Sequence, residues 1–457
     1  MRVSGIIGFA QRVCAGAFLL LPALLWPTLA CAQTGALDAV PIATPIAIDV
    51  ADSGDTAFVI AMALLALAMI LPGIVLHHGG RLRARAFAAT ATEVGAIAAI
   101  VTLVWVVVGY TIGFGNVTSG LVSSGWLGSG NAWMLNDLGN VRGASAVPEI
   151  AFVLLQLGFA ILAATLLTGA WAERGNIAWV VPFAGLWSLI VYAPLAHWVW
   201  GGGWLATRLG TVDFGGALVV HGSVGISALV ITLLIGRRAR FTGLAVSPAG
   251  SAALALSGTG MVWAALLALT AGATLAAIDD AATALVNAQI AAAAGALVWL
   301  LVDAVTGGKA NPPGANPYGA NPYALARGAL AGIVAASAAA NAMAPGAAML
   351  AGLTGALVGW TAARLIRHSG IDDAVDLIAV HGFAGLAGAV IAAPLIAGTL
   401  GGTGYAPGMG PMRQVVAQAI GAGVVVVWSV IGTVIVALMV ALVVPMRISE
   451  ADETAGA

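Results

Sequence analysis

The chain has 457 residues, of which 61% are hydrophobic and only 8% are charged, and its formal net charge is −1. Together with a mean hydropathy of +1.03, this composition excludes a soluble domain. The 61 glycine residues suit helices that pack closely in a bilayer, where small residues let backbones approach. We therefore expect an all-α polytopic membrane protein with no nucleic-acid partner.

Residues 1–32 have the pattern of a cleaved signal peptide. Arg2 and Arg12 precede the apolar run 15–29, and the Ala-Cys-Ala sequence at 30–32 has the small-x-small form of a cleavage site. An uncleaved first span is the alternative, and a lipoprotein anchored at Cys31 is a weaker one. Cleavage would remove both cysteines, so we expect no disulfide framework in the mature chain.

Residues 33–446 form the predicted membrane domain, with eleven apolar segments that are mostly about 20 residues long. That length crosses a hydrocarbon core of about 30 Å. The eighth segment is short and weak. The predicted spans are 57–76, 88–110, 150–171, 177–199, 213–236, 249–270, 281–304, 328–343, 347–366, 374–396 and 414–445.

Positively charged residues predict the orientation, because loops on the cytoplasmic side retain Lys and Arg near span ends. One set of loops carries Arg81, Arg83, Arg85, Arg174, Arg237, Arg238, Arg240, Lys309, Arg327, Arg364, Arg367 and Arg447, whereas the other carries only Arg142, Arg208 and Arg413. We therefore expect the N-terminus outside and the C-terminus inside. An odd number of spans agrees with this orientation.

The sequence Val-His-Gly-x-x-Gly occurs twice, around His221 and around His381, and an aspartate stands eight residues before each histidine, at Asp213 and Asp373. An ionisable residue inside an apolar span is costly and by default indicates function. The alternative is that each histidine only packs against a helix carbonyl. Matched histidines in matched repeats favour the functional interpretation.

The two copies of this motif run in opposite directions, since span 5 leads inward and span 10 leads outward. Eight residues at 1.5 Å each would place each imidazole ~12 Å from its aspartate, near the midplane. This pattern is typical of an inverted-repeat transporter with its site between the halves. We expect repeat one at about 57–236, repeat two at about 249–396, and an extra helix at about 414–445.

Further motifs stand in a characteristic order along the chain. They are Pro72-Gly73-Ile74-Val75-Leu76 with Gly79-Gly80, Gly109-Tyr110 with Gly113-Phe114-Gly115, Gly169-Ala170-Trp171-Ala172-Glu173-Arg174, Trp200-Gly201-Gly202-Gly203, Asp213-Phe214-Gly215-Gly216 through His221, and Asp372-Asp373 through His381. Together they resemble the ammonium transporter family (Amt/Rh/methylammonium permease), in its Amt-like branch. The resemblance covers nearly the whole chain.

The resemblance implies a homotrimer in the bacterial inner membrane, in which each subunit has a narrow apolar pore. His221 and His381 match the paired pore histidines. Trp200 matches the aromatic residue of the outer recruitment site, and Phe159 matches the outer gate. Asp213 matches a buried carboxylate that supports the outer vestibule, and its repeat counterpart Asp373 is expected to have a structural role.

The resemblance also implies a transporter, not an enzyme, that needs no cofactor or metal. Ammonium, with methylammonium as its analogue, would be recruited outside and deprotonated, and ammonia would pass the histidines. A dry pore rejects a hydrated cation strongly but admits neutral ammonia at a smaller cost. Imidazole can relay a proton because it changes tautomer or charge readily.

Two positions depart from the family's pattern in the outer half. Leu269 stands where the family usually has a second gate phenylalanine, and Ala273 stands where a serine usually helps to hold the ion. We therefore predict a weaker affinity for ammonium than is typical of the family.

The segments outside the spans receive simpler interpretations. The stretch Asn311–Tyr323 contains Ala-Asn-Pro repeats and is expected to be a linker, with a partner-docking segment as the alternative. The tail 447–457 is short, which argues against the PII-type regulator that the resemblance implies. His77 and His78 are expected at the membrane interface and not in a metal site.

Two further interpretations stay open beside the transporter. One is an ammonium sensor that has the transporter fold and little or no flux. The other is a membrane-embedded enzyme, although no His-Glu-x-x-His motif of a zinc hydrolase occurs in the chain.

Overall fold

A computed structural model describes residues 50–84, 86–115, 125–128, 130, 132–136, 138–139, 141–239, 241, 250–306 and 321–455. Within these ranges, ten helices are long and apolar enough to cross a membrane, and an eleventh apolar helix, α8, has 15 residues. In chain order, α1 to α11 are Ser53–Gly79, Ala86–Phe114, Glu149–Gly169, Ile177–Thr207, Ala217–Ile235, Ala252–Gly272, Asp279–Val305, Pro322–Ala336, Pro345–His368, Ile378–Leu395 and Pro411–Ala441.

The prediction of an all-α polytopic membrane protein is confirmed. The predicted signal peptide and most of the stretch Asn311–Tyr323 lie outside the described residues. Two helices differ most from the predicted spans: α4 ends eight residues later than predicted, and α8 begins six residues earlier. The side-chain oxygen of Asn321 accepts the backbone N–H groups of Tyr323 and Ala324 at 3.1 and 3.3 Å, and Pro322 takes the first turn. Both are strong helix-start features, so the helix, and not a linker, begins at Pro322.

The fifth and tenth helices run in opposite directions. Arg238 follows α5, and its Nε donates to a carboxylate oxygen of Asp372, just before α10, at 2.9 Å. The end of α5 and the start of α10 therefore lie on the same side of the bundle. This arrangement is the one expected of an inverted repeat.

That side carries Arg81, Arg83, Arg174, Arg238 and Arg447, and we call it the arginine-rich end. Glu173 accepts hydrogen bonds from Arg83 at 2.7 Å and from Arg238 at 3.0 Å. A short final helix, α12 (Glu450–Ala455), docks on this end through Glu453, which binds Arg447 and the backbone N–H of Ala239, both at 2.5 Å.

Glycines let the helices approach backbone to backbone. A Cβ atom on Gly258 of α6 would collide with the backbone nitrogen of His77 in α1, and one on Gly73 would lie 3.0 Å from the backbone nitrogen of Val262. Close packing of this kind replaces the hydrophobic driving force that lipid cannot supply. It also brings the end of α1 into the interior of the bundle.

Candidate functional site

The structure brings His221 of α5 and His381 of α10 together at the centre of the bundle. Their Nδ1 atoms are 3.0 Å apart, although the residues are separated by 160 positions in sequence. The ring centroids are 4.9 Å apart, and the side chains are buried. Because a hydrogen bond between two ring nitrogens needs one donor and one acceptor, the two rings hold complementary roles at Nδ1.

Two glycines make this approach possible. A Cβ atom on Gly225 would overlap the backbone nitrogen and Cα of Gly382, so α5 and α10 cross with essentially no side chain between them. The second glycine of one motif thus faces the first glycine of the other. This contact fixes the separation of the two helices at a point one turn after His221 and directly after His381.

Each histidine lies in a π-helical turn. These turns are Ala217–Gly222 at the start of α5 and Ile378–Phe383 at the start of α10. Single π turns are rare and are frequently found at functional sites. Nothing in the residue pattern predicted them. Within the described residues, Nε2 of His221 is buried without a hydrogen-bond partner, which leaves it available to a small ligand.

Asp213 lies in the turn before α5, and not within the helix as the sequence predicted. Its Oδ2 accepts the backbone N–H groups of Leu218 and Val219 at 3.0 and 2.8 Å. The carboxylate therefore caps the π turn that carries His221, in the manner of a helix N-cap. Burial raises the pKa of Asp213 to about 7, although the backbone N–H groups oppose the shift.

Asp373 has the equivalent place before α10. Its two oxygens accept the backbone N–H groups of Leu377 and Ile378 at 2.9 and 3.0 Å. The repeated aspartate is thus a repeated cap, and its spacing to the histidine reflects where each helix begins.

The neighbouring aspartates, Asp372 and Asp376, are both buried and paired with arginines. Asp376 accepts from Arg81, from Nε of Arg327 at 2.6 Å and from Arg367 at 3.0 Å. Although burial opposes it, these three cations hold the pKa of Asp376 well below its usual range.

On the side opposite the arginine-rich end, Trp200 lies near the end of α4. Its indole N–H donates to the backbone carbonyl of Asp213 at 2.5 Å. Its ring is 5.3 Å from that of Phe159, with an angle of 50° between the planes. The two aromatic residues singled out from the sequence therefore form one contact unit beside the start of α5.

The two unusual positions lie on α6. Leu269 is buried, and its side chain lies close to Gly158, next to Phe159. Ala273 caps the C-terminus of α6, where its backbone N–H donates to the carbonyl of Leu269 at 3.0 Å. Leu269 therefore lies beside the segment that carries Phe159, Ala273 follows it by one helical turn, and neither residue has an aromatic ring or a hydroxyl.

His77 and His78 lie in the last turn of α1 and are buried within the bundle, with 4% and 1% of their surface exposed, which the sequence did not predict. Their Nδ1 atoms lie 2.9 Å from the hydroxyl of Thr259 and 2.8 Å from that of Thr168. Both rings line a cavity that His381 also lines. The sequence feature that could have indicated this burial is an adjacent pair of histidines inside an apolar span.

Comparison with known proteins places this geometry in a family. The family model for the Ammonium Transporter Family matches residues 57–457. An ammonium transporter of Bacillus subtilis is 35% identical over 340 residues, which cover 74% of this chain and 79% of the relative.

Solved structures agree with the sequence comparison. A "Sensor Amt Protein" has a TM-score of 0.78 at 26% identity and matches 88% of this chain and 96% of its own. Mep2 from Candida albicans has a TM-score of 0.74 at 28% identity, with 88% of each chain covered. With this fold, this match and the paired histidines taken together, the chain is a member of the ammonium transporter family.

Proposed function

We propose that the protein conducts ammonia derived from ammonium across the membrane, past His221 and His381. The observation that carries the proposal is the 3.0 Å contact between two buried imidazoles from oppositely directed helices. A hydrated cation pays a large desolvation cost in such surroundings, whereas a neutral amine pays a much smaller one. Ammonium can therefore pass by releasing a proton, and potassium has no proton to release.

The aromatic pair Trp200 and Phe159 is the proposed recruitment site and gate. An indole face attracts a cation with roughly 0.5–2 kcal/mol. Asp213 stabilises this site indirectly, because its carbonyl holds the indole of Trp200 and its carboxylate caps the turn of His221. Recruitment and conduction are thus joined through one residue.

The proposed setting is a homotrimer in the bacterial inner membrane. The N-terminus is periplasmic, and the arginine-rich end with the C-terminus is cytoplasmic, because positive residues are retained on that side. Single cysteines placed at Ser53 and at Arg237 test the orientation through labelling by an impermeant maleimide. Native mass spectrometry in lipid nanodiscs tests the trimer.

Transport is tested in proteoliposomes that hold the wild type, His221→Ala or His381→Ala. Uptake of labelled methylammonium and the current are measured on the same preparation. We expect uptake by the wild type and at least a tenfold loss in either variant, because one imidazole cannot form the pair. Uptake without current would identify ammonia as the net species, and uptake with current would identify a transported charge.

His368→Ala is the matched control, since this imidazole is exposed at the end of α9. It should leave both signals unchanged. The proposal is abandoned if wild-type vesicles accumulate no more methylammonium than empty ones.

A sensor with little flux is the second candidate, and the likeness to the "Sensor Amt Protein" favours it. A sensor would bind ammonium without carrying it. Ammonium-dependent quenching of Trp200 fluorescence, lost in Trp200→Phe, in a wild type that shows no uptake would support this candidate over transport.

A further inference from the structure

One cavity connects His381 with a second pair of histidines on the side of the arginine-rich end. His77, His78 and His381 line it, together with Arg81, Arg327 and apolar side chains of α8 and the α10 region. The cavity has room for about one molecule of the size of water. The rings of His77 and His78 are 5.5 Å apart and tilted by 50°. A molecule that leaves His381 toward this end therefore meets two more imidazoles.

Two threonines determine which nitrogen of each ring carries the proton. The hydroxyl of Thr259 donates to the carbonyl of Ala255 at 2.7 Å, and that of Thr168 donates to the carbonyl of Thr165 at 2.8 Å. Each hydroxyl oxygen therefore acts as an acceptor toward the adjacent histidine. With the hydroxyl hydrogens on these carbonyls, Nδ1 of His77 and of His78 donates to the threonine oxygen, and Nε2 of each neutral ring is left as an acceptor.

The charges around the cavity favour a neutral occupant. Arg81 and Arg327 both line it, and they share Asp376 with Arg367. These three guanidinium groups outnumber the two carboxyl groups of the cluster, Asp376 and Asp373, and so oppose the entry of another cation. The cavity thus offers acceptors for N–H groups but a poor environment for ammonium.

We propose that His77 and His78 form an inner binding station, which holds ammonia through N–H···Nε2 hydrogen bonds after it has passed His381. The station rests on the proposed function, because ammonia reaches it through the paired histidines. His77 and His78 are then additional ligand-binding residues, and Thr259 and Thr168 are positioning residues that keep Nε2 free of its proton.

Solid-state NMR of the full-length protein in lipid bilayers, with ¹⁵N-labelled histidine rings, tests the station. His77→Phe and His78→Phe assign the signals by their disappearance. We expect both rings to carry hydrogen on Nδ1 alone. Addition of ammonium chloride, but not of an equal concentration of potassium chloride, should shift both Nε2 signals. Detection of hydrogen on Nε2, or Nε2 signals that do not shift when ammonium is added, would overturn the station.

Substitutions of Thr259 distinguish the proposed positioning role from a purely structural role. In Thr259→Val the ring of His77 loses its acceptor, so a population with hydrogen on Nε2 should appear and the ammonium shift should shrink. Thr259→Ser keeps the hydroxyl and should retain the wild-type spectrum. An unchanged tautomer in Thr259→Val would refute the assignment of the positioning role.

Methylammonium uptake by the same preparation separates the two proposals. Uptake without an Nε2 shift at His77 and His78 overturns the station and leaves transport intact. If uptake is absent, transport fails, and the presence or absence of the ammonium-dependent shift decides whether the station stands as a binding site.

Discussion

Trp200 donates its indole N–H to the backbone carbonyl of Asp213, at 2.5 Å, while the carboxylate of Asp213 caps the helical turn that carries His221. A single residue thus connects the aromatic pair of Trp200 and Phe159 with the turn that carries His221. Loss of this carboxylate should affect both.

Asp213→Ala leaves the N–H groups of Leu218 and Val219 without their acceptor. We expect a loss of roughly 1–3 kcal/mol in the free energy of unfolding, the cost of unsatisfied buried donors, and a large loss of transport. Asp213→Asn keeps one acceptor oxygen and should be the milder change. Thermal unfolding in detergent, followed by tryptophan fluorescence, ranks the variants, and equal midpoints for both would contradict the capping role.

The buried carboxyl group of Asp213 also predicts that the stability of the protein depends on pH. Its pKa is about 7 in the folded protein and near 3.8 in its ordinary state. Between these values the folded protein holds a proton that the unfolded chain has lost, so the contribution of Asp213 to stability falls as pH rises from about 4 to 7. The midpoint of the wild type, relative to Asp213→Asn, should therefore decrease across this range. A constant difference would show that the carboxyl does not titrate there.

Gly225→Ala should separate the two central helices, because the added methyl group overlaps the backbone of Gly382. We expect a loss of about 1–3 kcal/mol from overpacking and a strong reduction of methylammonium uptake as the imidazoles part. Gly260→Ala is the matched control: it lies in α6 with no atom near the added methyl group. A helix gains up to about 1 kcal/mol from that change, so its stability should hold or rise.

Replacing Leu269 and Ala273 by the residues that are usual in the family should increase the affinity for ammonium. Leu269→Phe adds a π face beside Phe159, and Ala273→Ser adds a hydroxyl at the end of α6. A cation–π contact of roughly 0.5–2 kcal/mol corresponds to a gain in ammonium affinity of about twofold to thirtyfold. The concentration at which ammonium inhibits uptake of labelled methylammonium measures it. Affinity in the wild type that is typical of the family, and unmoved by either change, would refute the prediction.

Arg238 stabilises the arginine-rich end by binding Glu173 and Asp372 at 3.0 and 2.8 Å. Arg238→Met should cost roughly 3 kcal/mol, near the lower end for a broken buried pair, because Asp372 keeps Arg174 at 3.8 Å. The neighbouring Arg237 is exposed, so Arg237→Met should leave the thermal midpoint almost unchanged. Equal effects of the two substitutions would exclude the ion-pair explanation.

Unfolding by acid should also report on the ion pairs of Arg238 with Glu173 and Asp372. Burial opposes ionisation, yet the hydrogen bonds and charge of Arg238 lower the pKa of Asp372, and Arg83 and Arg238 lower that of Glu173. A lowered carboxyl pKa gives stability that is present at neutral pH and is lost as pH falls through the folded value. In Arg238→Met these pKa values rise, so acid unfolding should begin at a higher pH than in the wild type.

The sequence by itself determined the membrane class, the approximate spans and the repeated histidines that the fold brings together. Apolar runs of spanning length are a local property, and a bilayer requires every backbone group inside it to be satisfied within the helix. The repeat of His221 and His381 with Asp213 and Asp373 was visible for the same reason: each copy is a short, local pattern.

Only the tertiary structure decided how those residues act. The burial of His77 depends on helix α6, which packs against it because Gly258 admits the backbone of α1, and that of His78 depends on the end of α3. No pattern within α1 predicts these neighbours. The π turns and the capping by both aspartates likewise depend on where each helix begins. Helix starts and burial arise from contacts between segments far apart in sequence, and such contacts exist only once the chain has folded.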